Sequence, residues 1–172
     1  TFESDGFDLD TTDSNFNGSS RTYVTHGWDA GSSTLGTGDF TQGATASTCR
    51  RNVDTGFSIV SYTGTGSATT IGHGLSKAPE MIIVKNRTQV QGADVYHVGM
   101  DSSEPEDYQM DLNSTGARYD GDAYWNDTAP TASVVILSGD GAVNYDNAIS
   151  GNGTYVAYCF RSVEGYSRVG KY

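Results

Sequence analysis

The residues best equipped for chemistry lie between positions 119 and 126. Tyr119, Tyr124 and Trp125 are interspersed there with Asp120, Asp122 and Asn126. Flat aromatic faces beside carboxylates and amides suit a sugar, whose C–H face packs on a ring while its hydroxyls meet the oxygens. This cluster is the candidate glycan site. A second set, Asp8, Asp10 and Asp13 ahead of Asn15 and Asn17, gathers the hard oxygen ligands that calcium takes. Its order does not follow an EF-hand loop, and Asx-turns account for the same residues without an ion. No cofactor is expected, and calcium is the candidate ion, with Asp8, Asp10 and Asp13 as its candidate ligands.

Catalysis finds less support. Glycoside hydrolysis needs two carboxylates flanking a cleft, and nothing local singles out a pair among Glu80, Glu104, Glu106, Asp120 and Asp122. A serine nucleophile on a Gly-x-Ser-x-Gly elbow is absent. His26, His73 and His97 stand far apart, and neither Cys49 nor Cys159 adds metal-ligand spacing. His73, between two glycines, reads as a ring bonded to nearby backbone. The expectation is a protein that is not an enzyme.

Charge narrows the partners. Lys and Arg total 10 against 21 Asp and Glu, a net charge of -11. Nucleic-acid binding needs clustered basic side chains, and the largest cluster here is Arg50-Arg51. No apolar run is long enough to insert in a membrane. Gly, Ser, Thr, Asn and Asp dominate, as in short strands joined by tight turns.

The pattern along the chain supplies those strands. Phe7 to Asp10 alternates apolar and acidic, and Thr22 to Trp28 follows as its antiparallel partner. Phe57, Ile59 and Tyr62 alternate with polar neighbours, and Ala68 to Ile71 is a short strand. Met81-Ile82-Ile83-Val84 reads as a central strand buried on both faces, and Ser133 to Leu137 as a second strongly buried strand. Asp94 to Val98, Tyr108 to Asn113 and Tyr155 to Phe160 complete the set. No helical period is sustained. The expected fold is all-β, an antiparallel, jelly-roll-like β-sandwich.

The chain also echoes itself. Thr22-Tyr23-Val24-Thr25-His26-Gly27-Trp28 parallels Thr154-Tyr155-Val156-Ala157-Tyr158-Cys159-Phe160, and Gly56-Phe57-Ser58 parallels Gly165-Tyr166-Ser167. Internal repeats point to a modular array. Residues 1–31 then read as the closing hairpin of a preceding repeat, and 56–164 as the main sandwich. Residues 165–172 read as the first strand of a following repeat. The segment 32–55 has hardly any apolar side chains and reads as a linker or strand-exchange arm.

Taken in order, several motifs resemble a known family. They are Gly56-Phe57-Ser58-Ile59-Val60-Ser61-Tyr62-Thr63-Gly64-Thr65-Gly66, Ile71-Gly72-His73-Gly74-Leu75 and Ala78-Pro79-Glu80-Met81-Ile82-Ile83-Val84-Lys85-Asn86-Arg87. Val95-Tyr96-His97, Trp125-Asn126 and Ala129-Pro130-Thr131 follow. The series is similar to a β-rich module of tail-fibre and other virion structural proteins of tailed phages, marine ones in particular. That resemblance implies a structural part of a virion or extracellular appendage, and it carries over no catalytic residue.

The expected function is accordingly a module of a phage tail fibre or similar appendage. It would assemble by strand and edge contacts into a trimer or filament, with host-surface glycan recognition at the 119–126 loop. Two other readings remain open: a polysaccharide-degrading enzyme on the same scaffold, and a non-viral self-assembling extracellular fibre protein.

Overall fold

The computed structural model describes residues 6–9, 16–121, 123–139, 142–147 and 151–171. Twelve strands are present among them: β1 (Thr34–Leu35), β2 (Ser47–Asn52), β3 (Phe57–Thr63), β4 (Thr69–Gly72), β5 (Met81–Asn86), β6 (Ala93–His97), β7 (Tyr108–Asp111), β8 (Tyr119–Asp120), β9 (Val134–Leu137), β10 (Asp146–Asn147), β11 (Gly151–Asn152) and β12 (Thr154–Phe160). A single 3-10 turn, Pro105–Asp107, precedes β7. The main sheet has eight strands in the order β1-β2-β3-β12-β5-β6-β7-β8, and β4 pairs with β9 in a second, two-stranded sheet. Every pairing is antiparallel. The fold is thus the expected all-β, sandwich-like architecture, with layers of unequal size.

Alternation along the strands decides which side chains face the β4–β9 ribbon. Across the main sheet, Ala157 lies between Val60 and Val84, and Tyr155 lies between Tyr62 and Asn86. These inward rows meet Ile71, Val135 and Leu137 of the ribbon in one core that also takes in Phe40, Leu75, Trp125 and Val143. The chain reaches the ribbon through residues 43–45: Gly43 bridges Ile71, and the Thr45 N–H donates to the Thr70 carbonyl at 2.9 Å.

The outer face of the main sheet is covered more thinly. Phe57 and Phe160 meet there at 4.8 Å between ring centroids, Trp28 adds its edge to Phe160 at 5.5 Å, and Val169 packs beside them. Ile59, Ile83 and Tyr158 on this face are only partly buried. Met81–Val84 is therefore not enclosed on both sides. Ile82 and Val84 are fully buried under the ribbon, whereas Met81 and Ile83 face the thin cover.

The structure departs from three further expectations. The segment 32–55 supplies β1 and β2 to the chain's own sheet, with β2 paired to β3 from Ser47↔Tyr62 to Asn52↔Phe57. Its buried apolar side chains are Phe40, which joins the core, and Cys49, which sits opposite Val60, and backbone hydrogen bonds hold β2 to β3. Gly56 permits the β2–β3 turn: its φ is +72°, and a Cβ there would lie 2.5 Å from the Arg161 carbonyl oxygen. Conversely, Thr22–Trp28 lies outside every strand and is exposed throughout. The position its pattern matches, that of β12, is already filled, and β12 has β3 on one side and β5 on the other. The stretch expected as a following strand, 165–172, forms a turn closed by the Val163↔Ser167 bridge, with Tyr172 outside the described residues.

Cys49 and Cys159 are both free and buried. Strand β3 lies between their strands, which puts them roughly 10 Å apart and beyond disulfide reach. Burial pushes the Cys49 thiol up to about 11 and that of Cys159 to about 12, so neither is a ready nucleophile.

The unequal layers lead to a prediction. Ile82→Ala should lower unfolding free energy by about 2–5 kcal/mol, as for a fully buried side chain. Ile83→Ala, one residue along on the thinly covered face, should cost only about 1 kcal/mol. Urea denaturation of both variants checks the difference, and equal losses would mean that the outer face is as tightly packed as the inner one.

Candidate functional site

One inward row of the main sheet begins as apolar and ends as acidic. It runs Cys49, Val60, Ala157, Val84, and then continues to Asp94 on β6 and Asp111 on β7. Asp94 and Asp111 are direct cross-strand partners. Such pairs bring Cβ atoms to about 5 Å, so two carboxylates stand side by side. They line an open cleft of about 520 Å3.

Three tyrosines rim the cleft: Tyr119 on β8, Tyr124 on the loop after it, and Tyr145 from the segment preceding β10. The first two are held to each other. Their hydroxyls lie 2.5 Å apart, their rings cross edge to face at 5.9 Å, and the Gln109 amide donates to the Tyr119 hydroxyl. The third is set by the core. Tyr155 stacks on Tyr62 at 5.2 Å, and its hydroxyl accepts from the Tyr145 N–H at 2.9 Å. The Tyr62 hydroxyl donates to the Val143 carbonyl at 2.5 Å. Asn144, fully buried, accepts from the Thr65 N–H and donates to the carbonyls of Ser67 and Ser138. The backbone passes so close at Gly64 that a Cβ would lie 2.6 Å from the Tyr145 carbonyl oxygen. This wall of the cleft is therefore fixed before any ligand arrives.

The polar floor is left partly unsatisfied. Asp94 is 2% exposed, and its Oδ2 has no hydrogen-bond partner. Gln91 Oε1 and Gln109 Oε1 are likewise buried without partners. All three atoms are acceptors. Lys85 is the nearby cation, and it is committed: its Nζ donates to the carbonyls of Gln91 and Gly92. Burial pushes the Asp94 carboxyl up to about 6, the Asp111 charge pushes the same way, and Lys85 partly offsets both. Tyr119 is raised as well, first by desolvation and then by its bond to Tyr124.

The residues expected to hold sugar divide accordingly. Tyr119 and Tyr124 line the cleft. Trp125 does not: it is 1% exposed and packs edge to face on Tyr96 at 5.8 Å, so no face of its indole is available for stacking. Asp120 follows Tyr119 on β8, so it points to the other side of the sheet, where it is exposed. Asn126 is exposed on a turn with a φ of +53°, and Asp122 lies outside the described residues. Of the calcium set, Asp8 is exposed, and Asp10 and Asp13 lie outside the described residues. Among the described residues no three His, Cys, Asp or Glu side chains group as a metal site.

Asp94, Asp111 and Tyr145 escaped the sequence reading. The available signal was Asp94 at an inward position of an alternating strand, where a charge is out of place. The histidines have structural roles. His73, fully buried, accepts from the Leu75 N–H at Nδ1 and meets the Thr131 carbonyl through Nε2 at 3.1 Å, and burial lowers its pKa. Nδ1 of His97 accepts from the Gly99 N–H at 2.8 Å.

Fold and cleft together define an all-β antiparallel module with an acceptor-lined, tyrosine-rimmed depression at one end of its main sheet. The chain belongs to the family described as a domain of unknown function, DUF7483, which matches residues 1–172. No curated protein and no solved structure matches it.

The Asp94 environment predicts a pH dependence. Its native pKa, about 6, lies above the ordinary 3.8, so its contribution to stability is present below pH 3.8 and is lost as pH rises through 6. His73, lowered, acts in the opposite sense, with stability lost as pH falls below 6.5. Asp94→Asn should therefore raise the melting temperature most at neutral pH and leave His73 in control of the acid limb. Thermal melts of both proteins across this range check it, and identical profiles would show that Asp94 is not desolvated.

Proposed function

We propose that the chain is a non-catalytic structural module of an extracellular appendage, of the kind that tailed-phage fibres contain, and that it joins further copies by strand and edge contacts. The observation that supports this most is the segment Thr22–Trp28. It carries the residue pattern of β12, yet it lies outside the sheet with Val24 81% and Trp28 58% exposed, and Phe16 ahead of it is 63% exposed. Trp28 anchors one end against Phe57 and Phe160. A strand-patterned, apolar segment displayed in this way suits addition to a sheet edge of another copy. The edges have room: β1 and β8 are two residues long each and leave parts of β2 and β7 uncovered. The motif resemblance and the turn-rich, acidic composition favour the same reading. No helix among the described residues is long and apolar enough to cross a membrane. A trimer or filament is the assembly this implies, on a virion or another extracellular fibre.

The test is self-association of the whole chain by sedimentation over a concentration series. The chain should associate, and Phe16→Asp with Val24→Asp, both at exposed positions, should shift it to monomer without altering its circular dichroism. A wild-type monomer at every concentration, or association indifferent to these substitutions, overturns the proposal.

One observation favours a second reading, cleavage of a polysaccharide: a carboxyl with a raised pKa stands beside a second carboxylate in a cleft. The geometry argues for holding a ligand rather than cutting it. Asp94 and Asp111 share one wall as cross-strand neighbours instead of flanking a bond from opposite sides. Incubation with polysaccharides should release no reducing ends. Release that is abolished by Asp94→Asn would establish the enzyme instead.

A further inference from the structure

We propose that the cleft bounded by Tyr119, Tyr124 and Tyr145 and floored by Asp94, Asp111 and Gln91 is a binding site for an uncharged polyhydroxylated ligand, a sugar ring. The inference is independent of the assembly reading, because every one of these residues comes from a single chain.

The floor sets the first requirement. Oδ2 of Asp94 and Oε1 of Gln91 are buried acceptors without partners. A buried acceptor left unmade is unfavourable, so the group that completes this site is a hydrogen-bond donor. Anionic ligands are excluded by the paired carboxylates and by the acidic surface around them.

The rim sets the second requirement. The Tyr119 and Tyr145 side chains are exposed, at 42% and 43%, while Tyr124 is half-buried between its neighbours. Ring faces that border a cleft offer packing to C–H groups, which a bare cation lacks and a pyranose has on one side of its ring. A sugar meets both requirements at once, with hydroxyls toward the floor and carbons toward the rim. The volume, about 520 Å3, falls within the range of small-molecule sites. Preorganisation supports the same assignment. The Tyr145 backbone is held by the Tyr155 hydroxyl, and the Tyr119 side chain by Gln109 and Tyr124, so part of the rim is ordered before binding.

The test is a titration of the isotopically labelled chain with the methyl glycosides of glucose, galactose, mannose and fucose, followed by NMR, with calcium chloride run in parallel. At least one glycoside should give saturable shifts centred on Tyr119, Tyr124, Tyr145 and Asp94. Tyr145→Ala removes an exposed ring and spares the fold, and it should weaken that affinity roughly fivefold to tenfold. Asp94→Asn, which keeps the shape but replaces one acceptor with a donor, should abolish saturation. The proposal is overturned if no glycoside produces saturable shifts at these residues. It is equally overturned if calcium alone produces them, or if Tyr145→Ala leaves the glycoside affinity unchanged. Monomeric behaviour in the sedimentation experiment leaves this result unaffected, which separates failure of the assembly reading from failure of the site.

Discussion

Strand Thr154–Phe160 is hydrogen-bonded along its length, to Phe57–Thr63 on one side and to Met81–Asn86 on the other. The remainder of the main sheet hangs from this three-strand centre: β2 and β1 outward from β3, and β6, β7 and β8 outward from β5. Its inward residues Tyr155, Ala157 and Cys159 are all fully buried, so the centre of the sheet and the centre of the core coincide. A register slip of one residue would reverse those faces and put Val156 and Tyr158 under the ribbon. Burial on one face is what fixes the pairing. Tyr155 carries that constraint outward, since the ring that stacks on Tyr62 also holds the Tyr145 backbone and thereby one wall of the cleft.

The inequality of the two layers follows from composition. Inward positions of β3, β5 and β12 are apolar enough to need covering, and the four-residue strands β4 and β9 are long enough to cover them. The flanking strands β6, β7 and β8 extend past that apolar row, and beside Tyr96, which still packs in the core, their inward positions include the polar Asp94, Asp111 and Gln109. The cleft thus forms where the sheet continues but its hydrophobic pattern stops. On the outer face no second ribbon exists among the described residues. Trp28, Ala30 and Val169 cover Phe57 and Phe160 from loops instead.

The strands that pack the core were legible in the residues because alternation is a direct record of burial. Phe57–Thr63, Met81–Asn86, Ala93–His97 and Thr154–Phe160 all fall where the pattern places them. Strand β2 was not legible, because Ser-Thr-Cys-Arg-Arg-Asn buries one thiol and is otherwise joined through backbone groups that every residue carries. Thr22–Trp28 misled for the converse reason: a pattern states what a segment can do, and the central place it matches is already filled by β12. The site was half legible. Tyr119 and Tyr124 announced themselves by type, whereas Asp94 and Asp111 lie far apart in sequence and become neighbours only through the register of β6 on β7. Trp125 shows the limit of residue type as a guide, since an indole serves a core as readily as a sugar.

Asp94 is the place where local consistency fails. An apolar residue there would extend the row of Val60, Ala157 and Val84 and remove a buried charge, and the neighbouring Asp111 makes ionisation harder still. Lys85 does not resolve the conflict, because its ammonium is held by the carbonyls of Gln91 and Gly92. The fold nonetheless keeps here a desolvated carboxylate with an unmade hydrogen bond. That point faces a cleft whose walls are fixed by the core and whose rim is aromatic. A donor arriving from solvent would complete the Asp94 acceptor, so a ligand that supplied one would stabilise the fold on binding.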